Sequence, residues 1–207
     1  TPSFYLPNWI DPKIINPVTA KPHMYSQSNK IVLLYSGNIG EKQDWQSFIE
    51  FCNDIDPNKY EVIIVGAGVK KEWLVEQTTH FSNVKHYPPV SYMDLSDLLC
   101  SVDIHLLFQK PNFFEAVMPS KVLGMMASAK PSLIIGHKDS EINSIFKSID
   151  IGLYYDKYSK EVVKELDKLT SHTSRKKEMG KNARAYVLEH FSKEEVLKSV
   201  LKKIDSL

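Results

Sequence analysis

Lys121 stands in MPSKVLGMMASAKP, residues 118–131, directly behind a Pro-Ser pair that reads as the first turn of a helix. The helix dipole makes that a poor position for an isolated cation. An apolar run, PSLII, follows, so the helix feeds a buried strand, and the amide-rich start of such a helix is a natural seat for an anion. A phosphate there would make the lysine a ligand. Without one, Lys121 is an ordinary exposed lysine at a helix start, and both readings stand at this level.

Glycine placement points to the same kind of site. Of eight glycines, Gly37 and Gly40 follow the run IVLLYS, Gly66 and Gly68 follow YEVIIV, and Gly136 follows SLII. In an open α/β sheet the carboxyl ends of the strands form the ligand-binding edge, and a residue without Cβ lets backbone approach a phosphate or a base. Tight strand-to-helix turns alone require the same glycines. Standard nucleotide motifs fail: GAGVKK has Lys71 where G-x-G-x-x-G requires its third glycine, and GNIGEK has Glu41 where a P-loop requires glycine before the lysine. There is no G-x-S-x-G elbow, no H-E-x-x-H and no Cys/His cluster. His105, inside an apolar strand, reads as a hydrogen-bonded structural histidine.

These residues need a scaffold, and apolar periodicity supplies one. Short runs at 31–36, 60–65, 84–87, 102–108, 132–135 and 152–155 read as strands. Between them lie helical stripes such as Trp45, Phe48, Ile49 and Cys52, or Leu95, Leu98, Leu99 and Val102, the latter with Ser91 and Asp94 as a capping box. Alternating strands and helices make βαβ units and a parallel sheet, and runs as continuous as VIIV fit strands covered on both faces. Prolines at 2, 7, 12, 17 and 22 bar residues 1–29 from helix interiors and central strands. That segment reads as a lead-in, residues 30–191 as the globular unit, and 192–207 as a carboxyl-terminal helix capped by Ser192, with Glu195 at its N3 position and Val196, Leu197, Val200, Leu201 and Ile204 on one face. Lysines of the tail helices alternate with acids and read as a solvated face.

Composition narrows the function classes. The 26 Lys and Arg nearly cancel 25 Asp and Glu, so the net charge of +1 provides no global field for nucleic acid or anionic membrane. No apolar stretch approaches the roughly 18 residues a bilayer span needs. Cys52 and Cys100 form neither a disulfide framework nor a metal pattern, which points to a reducing, cytoplasmic setting.

In order, YSGNIGEKQDW, VIIVGAG, VKHYPPV, VDIHLLFQK and MPSKVLGMMASAKP resemble the carboxyl-terminal, donor-binding domain of the GT-B glycosyltransferases of family 4, the bacterial polysaccharide enzymes of the colanic-acid or capsule type. LPNWID is similar to the family's domain-joining segment and MGKNARAYVLEHF to its penultimate helix. The resemblance implies an α/β fold with a doubly wound, Rossmann-like parallel sheet and extra carboxyl-terminal helices, and residues 1–29 as the lead-in from a separate amino-terminal domain. It implies a nucleotide-diphospho-sugar donor, a saccharide or lipid-linked acceptor held through that other domain, no nucleic acid, peripheral membrane association of the whole enzyme, and no divalent metal or cofactor.

Residue by residue, the resemblance assigns the diphosphate to Gly37 and Lys42, with Asn38 at the family's arginine position, Gly40 in the same loop, and Lys121 supplying the missing charge from the helix that Pro119 and Ser120 open. Two such charged contacts, roughly 1.5–3 kcal/mol each in a shielded cleft, would stabilise the departing nucleoside diphosphate as its charge develops. The base is assigned to Gly66, Gly68, His86, Tyr87 and Pro88, although Tyr87 equally suits a core position. The family's Glu-x7-Glu pair is absent. Its second position is Gly124 and its first Ala116, with Glu115 adjacent as the substitute sugar contact. Two other readings stay open: a nucleotide-sugar 2-epimerase half, which uses the same architecture, and a non-catalytic doubly wound binding module, which the departures at Asn38 and Gly124 allow.

Overall fold

The computed structural model describes residues 6–112 and 118–205. Every sequence-read strand forms: β1 Ile31–Ser36, β2 Tyr60–Val65, β3 Val84–Tyr87, β4 Ile104–Phe108, β5 Ser132–Ile135 and β6 Gly152–Tyr155. They make one six-stranded sheet in the order β3-β2-β1-β4-β5-β6. All five pairings are parallel, with Ile31 opposite Tyr60 and Leu34 opposite His105 setting the central register. The order reverses between β1 and β4, which opens a crevice at their carboxyl ends.

Burial on both faces follows from period-2 alternation. Val32 and Leu34 of β1 point into one cluster with Leu98, Val122, Met126 and Val187, while Leu33 and Tyr35 point into the other with Phe48, Phe51, Leu74 and Leu166. The covering helices are α1 Trp45–Asp54, α2 Lys71–Thr78, α3 Leu95–Ser101, α4 Ser120–Ala127, α5 Glu141–Ser148, α6 Lys160–Ser171, α7 Thr173–Phe191 and α8 Lys193–Asp205. The α1 stripe works as its spacing predicts: Trp45, Phe48 and Cys52 are buried, and the Asp44 side chain accepts the Ser47 amide at the N-cap. Each fully buried aromatic contributes about 1.5–3 kcal/mol.

Four local expectations need adjusting. β4 starts at Ile104 rather than Val102, because the Asp103 carboxylate takes the Val32 amide at 3.0 Å and turns the chain there. Ser91 and Asp94 do bond each other (2.7 and 3.3 Å), but α3 begins only at Leu95. Pro119 is the N-cap of α4, in extended conformation, so Ser120 is the first helical residue. On α8, Val196 is buried, but Leu197, Leu201 and Ile204 are exposed.

Among its described residues the proline-rich lead-in carries one short 3-10 turn, Met24–Ser26, and is strapped to the core. Its amides bond Ser96, Asp97 and Ser101 of α3, Ile10 bridges Ser192 between α7 and α8, and Ile15 is fully buried. Prolines forbid regular structure here, so side chains of α3 take the hydrogen bonds a ladder would otherwise make.

Candidate functional site

Two loops build the carboxyl edge of the sheet by packing on each other. The Gly37 amide donates to the Val65 carbonyl at 2.9 Å and the Ile39 amide to Ala67 at 2.8 Å, so the pairing of β1 and β2 continues past the strands. A Cβ on Gly66 would lie 2.0 Å from the Gly37 carbonyl oxygen, and one on Gly68, whose φ is +152°, only 2.3 Å from that of Ile39. These two glycines are therefore required by chain-on-chain approach. That requirement holds whether or not a ligand also approaches them.

The start of α4 closes the site from the other side of the switch point. Pro119 makes no side-chain cap hydrogen bond, so α4 presents its first turn to the site without a capping side chain. The Lys121 side chain runs back across β1: a Cβ at Gly37 would meet its Cε at 2.7 Å. Its ammonium donates to the Tyr35 hydroxyl at 2.9 Å and lies 4.0 Å from the Tyr35 ring centroid. The same hydroxyl donates to the Asn38 carbonyl at 2.6 Å. One buried phenol thus ties the lysine to the glycine loop, and its burial pushes the Tyr35 pKa well above the ordinary tyrosine value, which keeps the proton on oxygen.

A cavity of about 670 Å³ opens here. Ser36, Gly37, Asn38, Ser120 and Lys121 form its polar side, while Leu34, Leu99 and Met125 contribute to an apolar floor. Gly124 belongs to that floor, and a Cβ there would only touch Leu99 at 3.5 Å. Asp11, from the lead-in, is the carboxylate among the described lining residues, and Trp9 and Tyr92 line the same cavity. A neighbouring cavity of about 340 Å³ shares Ser36–Asn38 and is bounded by Gly66, Ala67, Pro89 and Val90.

Several assigned residues fall elsewhere. Lys42 is exposed in the loop after β1 and lines neither cavity; its carbonyl takes the Lys110 amide at 3.1 Å. Gly40 is buried under that loop, its carbonyl accepting from the Trp45 indole at 2.8 Å. His86, Tyr87 and Pro88 miss both cavities, and the stretch that arrives is Pro89–Val90. The reasons are local: Tyr87 stacks on Tyr25 of the lead-in with ring centroids 4.0 Å apart, and His86 turns to Thr78, its Nε2 lying 2.8 Å from the threonine hydroxyl. Burial and Lys71 hold the His86 pKa below the usual histidine value. Glu115 lies outside the described residues.

His105 sits on the cavity wall as a structural histidine. It is buried, with Nε2 2.9 Å from the Ser128 hydroxyl, and burial with the nearby Lys130 charge pushes its pKa down to about 3. Sequence reasoning missed Tyr35, Asp11, Trp9 and Tyr92. For Asp11 and Trp9 a signal existed in LPNWID, but nothing in the residues says where an irregular segment lands. Among the described residues, no group of three or more His, Cys, Asp or Glu is placed to hold a metal ion, and no helix is long and apolar enough to cross a membrane.

Comparison with known proteins extends the geometry. The family model for glycosyl transferases group 1 matches residues 21–186. The putative colanic acid biosynthesis glycosyl transferase WcaI of Escherichia coli K12 is 34% identical over 119 residues, 56% of this chain and 29% of that protein. Among solved structures, HepE of Anabaena in complex with UDP-glucose superposes with a TM-score of 0.71 at 16% identity, covering 97% of this chain and 56% of that one. The carboxyl-terminal domain of the group 1 family protein LpcC from Francisella tularensis does so with 0.67 at 16%, covering 89% and 99%. At such identities the structural likenesses establish the fold. The chain spans about half the length of HepE and under a third of WcaI.

Proposed function

The chain belongs to the glycosyl transferases group 1 family, and on that premise we propose that it is the donor-binding half of a retaining glycosyltransferase, taking a nucleotide-diphospho-sugar for bacterial surface polysaccharide synthesis. The observation that carries the reading is the Lys121 ammonium, held by Tyr35 across Gly37 at the wall of a cavity on the switch-point edge. HepE, which shares the fold, is described in complex with UDP-glucose, and WcaI is named for colanic acid synthesis.

In this mechanism the diphosphate lies against the Gly37–Asn38 backbone and the first turn of α4. The bond between the anomeric carbon and the phosphate oxygen breaks, the electron pair leaves with the nucleoside diphosphate, and an acceptor hydroxyl bonds to the anomeric carbon on the same face, passing its proton to the departing phosphate oxygen. Charge grows on the leaving group, so Lys121 and the α4 amides stabilise the transition state more than the bound donor. The lysine-and-amide arrangement supplies this stabilisation without calling on a divalent ion. Lys42, on the same sheet edge but outside the cavity, acts at longer range. The acceptor, a saccharide or lipid-linked saccharide, enters from the partner domain, and free thiols at Cys52 and Cys100 fit a cytoplasmic setting.

A binding screen of this chain against UDP, GDP, ADP and TDP tests the reading. Saturable binding of one of them, weakened at least tenfold by Lys121→Ala, supports it. No binding at millimolar concentration, or equal binding by the variant, sinks it. Gly124, where the family's second glutamate would stand, favours a non-catalytic binding module as the second reading; turnover by the complete two-domain protein separates the two.

A further inference from the structure

On the opposite edge of the sheet from Lys121 lies another cavity, of about 570 Å³, between the amino ends of β4 and β5 and one face of α7. Its charged lining is Lys130, Lys176, Lys177, Lys181 and Arg184 against a single carboxylate, Asp103. The whole chain carries a net charge of only +1, so positive charge is concentrated here.

Most of that charge is uncompensated. Lys176 pairs with Asp103 at 2.6 Å. Arg184 spends its donors on neutral acceptors, the carbonyls of Ile15 and Ala127. Lys130, Lys177 and Lys181 make no ion pair among the described residues. Lys177 and Lys181 are four residues apart and Arg184 three further on, so like charges face one another on one helix side, an arrangement that weakens a helix on its own. Lys177 and Lys181 are exposed, as expected of a solvated face, but on this side the described lining sets only Asp103 against them.

The backbone is shaped to bring Lys130 to the stripe. Ala129 adopts φ +59°, the left-handed region a non-glycine residue seldom takes, and the turn seats on α7 only because residue 180 is glycine: a Cβ there would lie 2.0 Å from the Ala129 carbonyl oxygen. Lys130 is thereby half-buried beside Lys176, and burial pulls its pKa below the ordinary lysine value. Ala129, Pro131, Ala185 and Leu188 provide apolar wall between the cations.

We propose that this cavity is a second anion site, separate from the donor site, which binds a phosphate monoester through Lys130, Lys177 and Lys181, with the apolar wall against whatever carries the phosphate. An acidic lipid headgroup and a soluble phosphate ester share that chemistry. The site is independent of the donor reading.

The test is an amide NMR titration of the chain with inorganic phosphate and, separately, with short-chain phosphatidic acid below its micelle concentration, against sodium chloride at matched ionic strength. The expected result is saturable shifts at residues 129–131 and 176–188, weakened at least tenfold by Lys177→Gln with Lys181→Gln and unchanged by Lys121→Ala. Both lysines are exposed, so the double variant keeps its fold. Tighter binding of the lipid identifies a headgroup, and equal binding a soluble ester. Shifts matched by sodium chloride, absent with phosphate, or intact in the double variant overturn the proposal.

Discussion

The Lys121 ammonium and the Tyr35 hydroxyl are 2.9 Å apart, and the phenol carrying that hydroxyl is completely buried beneath the glycine loop. Because the hydroxyl also holds the Asn38 carbonyl, it fixes two walls of the cavity relative to each other. Tyr35→Phe keeps the ring and its packing and removes only these bonds. Nucleoside diphosphate affinity should fall about fivefold, the weight of roughly 1 kcal/mol, with the melting temperature nearly unchanged. Calorimetric titration beside a thermal melt checks it, and unchanged affinity would remove Tyr35 from the site.

Lys121 and Lys42 should separate cleanly. Lys121 lines the cavity and Lys42 does not. Lys121→Ala should cost tenfold or more in diphosphate affinity, while Lys42→Ala should cost no more than about threefold and lose even that at high salt. The nucleoside monophosphate should be less sensitive to Lys121→Ala than the diphosphate. A comparable loss from Lys42→Ala at high salt would contradict the geometry.

Asp11 offers the cavity an acceptor for hydroxyl groups where the family's glutamates are missing. Its Oδ1 also takes the Lys13 amide at 2.9 Å, a bond that asparagine preserves. Asp11→Asn should therefore leave stability intact and weaken nucleotide-sugar binding about fivefold. If the free nucleoside diphosphate weakens equally, the contact is to ribose; if it does not, the contact is to the sugar.

Gly66→Ala and Gly68→Ala test loop packing independently of any ligand. Each Cβ would run into a backbone carbonyl, at 2.0 and 2.3 Å, and at Gly68 positive φ adds strain. Destabilisation of about 1–3 kcal/mol is expected for each, read from denaturant unfolding. Gly124→Ala, which would meet only Leu99 at 3.5 Å, is the control and should change little.

His105 makes stability depend on pH. Its folded-state pKa, about 3, lies below the unfolded value near 6.5, so between these limits the unfolded chain binds a proton that the folded chain refuses. Stability from this group is complete above about pH 6.5 and is lost as pH falls toward 3, at about 1.4 kcal/mol per pH unit. His105→Asn removes the titration, so its stability-pH curve should be flatter than wild type over that window. Parallel curves would contradict burial of a neutral imidazole.

The strands were legible because a strand covered on both faces is a nearly unbroken apolar run, as YEVIIV, VDIHLLF and SLII are, too short for helices and alternating with helical stripes. Helix α1 was legible from its stripe and its cap. The lead-in was not: five prolines say what a segment cannot form, and they do not say that its amides will be taken by Ser96, Asp97 and Ser101. Lys121 stood out because a cation behind a helix-opening proline is out of place. Tyr35 did not, since a tyrosine in a doubly covered strand looks like core until a partner for its hydroxyl is known.

From its amino acids alone this protein is an alternating α/β chain with glycines behind its strands and a lysine at the mouth of a helix, because periodicity and turn chemistry are local properties. Which glycines face chain rather than ligand, which tyrosine grips Lys121, where Asp11 arrives and how the α7 lysines gather at the far edge were decided only by tertiary structure. Each depends on the distance between segments remote in sequence, and local preference carries no information about that distance.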